Sequence, residues 1–157
     1  MILATVGTQL PFPRLLEALD RLAVSHSLQI VAQTCGNFAG ARAIEQHEFL
    51  APADFEKLAS EARVIVGHAG IGTIFAASRA CKPLVLYPRR VALGEHRNDH
   101  QMATAASVAD RKGIHVAWDD AGLEQWLLSD RLVPLAPGAS PTRPALVAAI
   151  AAFVAGE

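Results

Sequence analysis

What most constrains the fold is a set of short apolar runs, each followed by a segment with helical periodicity. The runs are Ile2–Val6, Leu28–Ala32, Val64–Val66, Leu84–Tyr87 and Ile114–Trp118, with a weaker one at Glu48–Leu50. Helical patterns fill Phe12–Ala23, Ala53–Ala62, Thr73–Ala80, Asp99–Arg111 and Leu123–Leu128. Strands nearly continuous in apolar residues are covered on both faces, the condition of a parallel strand. Their alternation with helices predicts an α/β chain with a doubly wound, Rossmann-like parallel sheet. The sequence shows no internal repeat.

A chain of 157 residues fits one such sheet. With 52% hydrophobic residues and 18% charged, it has ample material for a core. A net charge of -1 and the lack of a basic stripe argue against a nucleic-acid partner. The densest basic spot, Arg89-Arg90, reads equally as a solvated turn or an anion site. Two cysteines, Cys35 and Cys81, are too few for a disulfide framework and suit a reducing compartment. The amino terminus enters the first apolar run without the pattern of a signal peptide. No stretch approaches the roughly 18 apolar residues of a spanning helix, so a cytoplasmic protein is expected. From Pro134 onward, prolines punctuate a loop, and Pro144–Ala155 reads as a final apolar helix. Such a helix is buried against its own core or against another chain.

Doubly wound sheets bind ligands beyond the carboxyl ends of their strands. That rule selects Gly7-Thr8-Gln9, the Gln33–Asn37 loop, His68–Thr73 and the segment Pro88–Gln101. In "HAGIGT", Gly70 and Gly72 permit a tight turn and close approach to a ligand. Ile71 and Thr73 would open the following helix. The N–H groups and partial positive charge of such a helix start suit phosphate. The spacing is neither G-x-G-x-x-G nor a Walker A loop, so the turn alone also reads as a plain strand-to-helix connection. His68 is either a hydrogen-bonded structural residue or a catalyst. In "GEHRNDHQ", His96 and His100 have the spacing of two metal ligands on a helix, but no third ligand is evident and no metal is expected. Asn98, Asp99 and Gln101 are hydroxyl-binding groups or, for the first two, helix caps.

In combination these motifs become specific. "VGT", "GHAGIGT", "KPLVLYPR" and "EHRNDHQ", in that order, resemble the carboxy-terminal, donor-binding domain of GT-B glycosyltransferases of the MurG type, family 28. The resemblance covers about Ile2 to Trp118. It is strongest to the single-domain form, which includes the catalytic subunit of the two-chain dolichol-diphosphate GlcNAc transferase and PssE-type exopolysaccharide transferases.

The resemblance implies the C-terminal half of a GT-B fold and an inverting hexosyltransferase that uses a UDP-sugar as donor substrate, with no cofactor. The Gly70–Thr73 turn, with Ile71 and Gly72, would hold the diphosphate. Asn98, Asp99 and Gln101 would meet donor-sugar hydroxyls, and Gly7 and Thr8 would line the cleft. Where MurG-like enzymes carry a ribose-gripping glutamate, this chain has Ala76. The acceptor half must come from elsewhere, so a membrane-associated partner chain presenting a lipid-diphosphate-linked sugar is expected, recruiting the protein to the inner membrane face. Residues 1–133 would form the nucleotide-sugar-binding domain, and 134–157 the partner-docking element. Candidate catalytic groups are His68 and His100, with the general base expected from the partner. Two alternatives stay open: a nucleotide-sugar epimerase or hydrolase, and a non-catalytic nucleotide-sugar-binding regulatory subunit.

Overall fold

The computed structural model describes residues 1–136. The final helix expected over Pro144–Ala155 lies outside the described residues, as does the docking role given to it. The elements run β1 (Ile2–Thr5), α1 (Pro13–His26), β2 (Ile30–Gln33), β3 (Glu45–His47), α2 (Pro52–Glu61), β4 (Val64–Gly67), α3 (Ile71–Ala80), β5 (Leu84–Leu86), a 3-10 turn at Val91–Leu93, α4 (His100–Val108), β6 (Ile114–Val116) and α5 (Asp120–Leu128).

The strands form one six-stranded sheet in the order β3-β2-β1-β4-β5-β6. Every neighbouring pair is parallel. The predicted doubly wound fold is therefore present. Side chains alternate across each strand, and the core divides accordingly. Ile2, Ala4, Val66 and Val85 pack on one face with Leu15, Leu16 and Leu19 of α1 and Leu123 and Leu127 of α5. Leu3, Ile65, Leu84 and Leu86 pack on the other with Ala59 of α2, Ile74 and Ala77 of α3, and Ala105 of α4. Each large aliphatic side chain buried this way contributes about 1.5–3 kcal/mol. Pro13 and Pro52 open their helices at the first turn, where a missing N–H costs nothing.

One strand departs from the sequence reading. The third strand is Glu45–His47 rather than Glu48–Leu50. It is the sheet edge, pairs only with Val31–Gln33 and is largely exposed. An edge strand has one partner and little core to cover, so its residues are polar and carry no apolar signal. Buried Asp20 on α1 sets the approach to that edge. Its carboxylate accepts from the backbone N–H groups of Arg42 and Ala43, both at 2.8 Å, and of Ile44 at 3.3 Å.

The order reverses between β1 and β4, whose outgoing chains turn to opposite faces of the sheet. That divergence opens a crevice at the carboxyl ends of the central strands.

Candidate functional site

A cavity of about 470 Å³ occupies that crevice. Its walls come from the loop after β1 (Gly7, Thr8, Gln9, Leu10), the turn after β4 with the start of α3 (His68, Gly70–Thr73, Ala76), and Arg89, His96 and Gln101. Its size is that of a small-molecule site. A second hollow of about 460 Å³ adjoins it. Thr8, Gln33, Phe55 and Ala76 line both, and Phe49, Leu50 and Pro52 make the second more apolar.

The glycine turn builds the centre. Gly70 is extended and caps α3 with no side-chain hydrogen bond to the helix start. Its carbonyl accepts from Thr73 and Ile74 N–H. The N–H groups of Ile71 and Gly72, the first two of the helix, have no partner among the described residues. They border the cavity, where the helix dipole favours negative charge. Gly72 has open space where a Cβ would be, whereas a Cβ on Gly70 would collide with His68 Nε2. Gly7, at φ +86°, lies on the other side of the same ring, its ideal Cβ 2.9 Å from His68 Cε1. The imidazole is thus wedged between two glycines, each of which has to lack a side chain.

His68 Nδ1 lies 3.5 Å from Thr73 Oγ1. Burial pushes its pKa down to about 4, helped by the positive charge of Arg89 and by His96, against a hydrogen bond to the Thr5 backbone. The ring is neutral at pH 7.

Arg89 follows β5 at the cavity floor and is 2% exposed. Its terminal nitrogens donate to the carbonyls of Pro11 and Leu10, both at 2.7 Å, Val6 at 3.1 Å and Glu95 at 3.5 Å. The guanidinium carbon lies 4.4 Å from the Phe12 ring centroid. Burial lowers its pKa, offset in part by the more distant Glu95 and Cys35. The Glu95 carboxylate itself is taken by Arg14, at 2.5 and 2.8 Å, and by the Arg90 N–H at 2.8 Å.

Gln101 is 6% exposed, and its side-chain oxygen accepts the Arg89 N–H at 3.2 Å. That bond fixes the amide orientation and leaves the NH₂ group for the cavity that Gln101 lines. Among the described residues no Asp or Glu lines the cavity, which presents one guanidinium, two imidazoles and a helix start.

The family model described as "Glycosyltransferase family 28 C-terminal domain" matches residues 1–136. The chain belongs to this family. No curated protein matches its sequence. Solved structures share its fold. Acinetobacter baumannii MurG is 24% identical over 84% of this chain and 42% of its own, with a TM-score of 0.63. The solution structure of ALG13 is 15% identical over 93% of this chain and 94% of its own, with a TM-score of 0.64. Glycosyltransferase VinC, solved in complex with dTDP, is 19% identical over 95% of this chain and 36% of its own, with a TM-score of 0.53. This family 28 domain therefore spans less than half the length of MurG or VinC and nearly the whole of ALG13.

The structure brings Gly7, Thr8, His68, Gly70, Ile71, Gly72, Thr73 and Gln101 around one cavity. Asn98, Asp99 and His100 do not line it. Asn98 Oδ1 accepts from the His100 N–H at 3.3 Å, and Asp99 Oδ1 from the Val91 N–H at 3.2 Å. Both side chains hold the loop that enters α4. His100 is exposed at the first position of that helix. Sequence reasoning selected the segment Pro88–Gln101 that carries both Arg89 and His96, read Arg89 with Arg90 equally as an anion site or a solvated turn and His96 as a metal-ligand candidate, and named neither among the donor-binding residues. The available signal was their position just beyond β5, on the ligand-bearing side of the sheet.

Proposed function

We propose that this domain is the donor-binding, catalytic half of an inverting glycosyltransferase, moving a hexose from a UDP-sugar to a lipid-diphosphate-linked acceptor held by a separate chain. The observation that carries the reading is the cavity at the start of α3, which among the described residues has no carboxylate on its walls and two unpaired N–H groups beside the glycine turn. A diphosphate there meets the helix dipole and a positively charged floor. VinC, which shares the fold, holds a nucleoside diphosphate.

The adjoining apolar hollow gives the nucleoside a place, with Phe49, Leu50 and Phe55 on its walls. Ala76 borders the junction of the two hollows. A ribose there meets a methyl group instead of a carboxylate, with the Thr8 hydroxyl as the neighbouring polar group, since Gln33 spends its amide on Thr5, Gly7 and Leu50. The NH₂ of Gln101 is placed for a sugar hydroxyl.

In the reaction, the acceptor hydroxyl oxygen attacks the anomeric carbon from the face opposite the diphosphate. The bond from that carbon to the diphosphate oxygen breaks, and the hydroxyl proton passes to a base on the acceptor-bearing chain. The departing oxygen's charge is met by the Ile71 and Gly72 N–H groups, arranged before the charge develops. His68, neutral and wedged between glycines, is a poor general base. Its role is to shape the turn and contact the diphosphate.

The partner reading draws support from the cleft rim. Leu10 is 46% exposed and Leu93 55%, and both border one hollow beside His96. Paired apolar side chains at the mouth of a half-cleft suit a second chain closing over it. No helix among the described residues is long and apolar enough to cross a membrane, so recruitment to the cytoplasmic membrane face falls to that partner.

Calorimetric titration with UDP, against GDP and ADP, tests the donor assignment. Selective binding of UDP is expected, tightening when the acceptor chain is co-expressed. Equal binding of the three, or none in either preparation, would remove the assignment.

A further inference from the structure

The cavity floor holds a buried cation with no acid of its own: Glu95, which acts on Arg89 electrostatically, is paired with Arg14. Among the described residues Arg89 makes no ion pair, although it is 2% exposed. Its four terminal N–H groups end on neutral carbonyls, and the fifth, on Nε, has no partner among the described residues. Carbonyl dipoles orient a guanidinium but leave its charge in place. A buried charge without a counter-charge costs several kcal/mol. Arg14, by contrast, takes both carboxylate oxygens of Glu95. Among the described residues no carboxylate lines the cavity to serve Arg89 instead.

The four carbonyls also have an arrangement. Val6, Leu10 and Pro11 bracket the loop that forms the cavity lip, and Glu95 lies in the segment opposite. The rigid fork of one guanidinium ties both walls together, which a lysine's point charge cannot do. We infer that Arg89 is a positioning residue that fixes both lips of the cavity, and that its counter-charge is supplied by the ligand's diphosphate. The ligand's identity rests on the nucleotide-sugar reading, while the need for a polyanion rests on Arg89 itself.

The test uses the full chain and inorganic pyrophosphate, compared with sodium chloride at equal ionic strength, by thermal melting. Pyrophosphate at about ten times its Kd is expected to raise Tm by about 3 °C. Arg89→Met is expected to weaken pyrophosphate binding by at least about tenfold. Arg89→Lys, which keeps the charge and loses the fork, is expected to retain most pyrophosphate affinity while loosening UDP. Uridine, with no phosphate, is expected to bind all three forms alike. The inference is overturned if pyrophosphate acts no better than chloride, or if Arg89→Met binds it as the unaltered chain does. If Arg89→Met does not fold, the unaltered chain decides. Pyrophosphate neutralising the floor is expected to move the His68 Cε1–H titration, followed by NMR, upward by about one unit. An unmoved midpoint would sink the proposal. Pyrophosphate binding without UDP binding would instead remove the nucleotide reading and leave Arg89's role standing.

Discussion

Two side chains in this domain bury a full charge to the same degree, and they do it differently. Asp20 and Arg89 are each 2% exposed, and each pins a loop through several backbone hydrogen bonds. Asp20 holds the chain entering β3 with three N–H groups and is neutralised by Arg42, 3.1 Å away. Arg89 holds the loop after β1 with carbonyls and forms no ion pair among the described residues. One charge is closed within the fold and belongs to its stability. The other is left without an ion pair at the cavity and, on the inference above, belongs to binding.

The largest test of that contrast is Asp20→Asn. It leaves three N–H groups with a weaker acceptor and Arg42 without its pair, and is expected to cost about 3 kcal/mol in urea unfolding. Nucleotide affinity of the folded molecules should not change, and a parallel loss would erase the distinction. Next is Gly72→Val. Its side chain enters open cavity, so UDP affinity should fall by about 100-fold while stability changes by about 1 kcal/mol or less. Calorimetry beside urea unfolding separates the two, and a large stability loss would place the turn with the structural half.

The third test is pH. A histidine whose folded pKa lies below its unfolded value near 6.5 opposes folding as the unfolded chain takes up its proton. His68, at about 4, therefore draws stability down as pH falls from about 6.5 to about 4. His115, lowered by burial, acts in the same direction. The Asp20 carboxyl would be raised by burial, but hydrogen bonds from Ala43 and Arg42 hold it below its ordinary value, so its contribution is lost only at lower pH. His68→Gln should flatten the upper part of the stability–pH curve and leave the acid limb intact. An unchanged upper part would show that His68 is not held neutral. The smallest effect is Gln101→Ala, expected to weaken UDP-sugar binding about tenfold and UDP binding less. Equal losses would take Gln101 out of the sugar pocket.

The same contrast marks what was legible in the sequence. Strands buried on both faces announce themselves as apolar runs, so β1, β4 and β5 and the two loops flanking the crevice were readable. Glu45–His47 was displaced in the reading because an edge strand is held by backbone pairing to β2, which no side-chain pattern records. Gly70 and Gly72 were visible as a turn. That Gly7 and Gly70 enclose one imidazole was not, since the three meet only once β1 and β4 are neighbours. Arg89 beside Arg90 read equally as a solvated turn or an anion site, and nothing in the spacing chose between them. The carbonyls that bury Arg89 belong to residues about 80 positions earlier, a distance over which spacing carries no signal. Asn98 and Asp99 lie near the site in sequence, but their side chains are consumed by the turn that starts α4.

Gln33 carries one more consequence. Its Oε1 accepts from Leu50 N–H at 3.0 Å, and its Nε2 donates to the Gly7 carbonyl at 3.3 Å. One planar amide thus spans from the wall of the apolar hollow to the lip of the polar one. A displacement of the Leu50 segment would be carried through this amide to the Gly7 loop. On the proposed reading, the two halves of a nucleotide would then bind as a thermodynamically coupled pair, occupancy at one end adjusting the other.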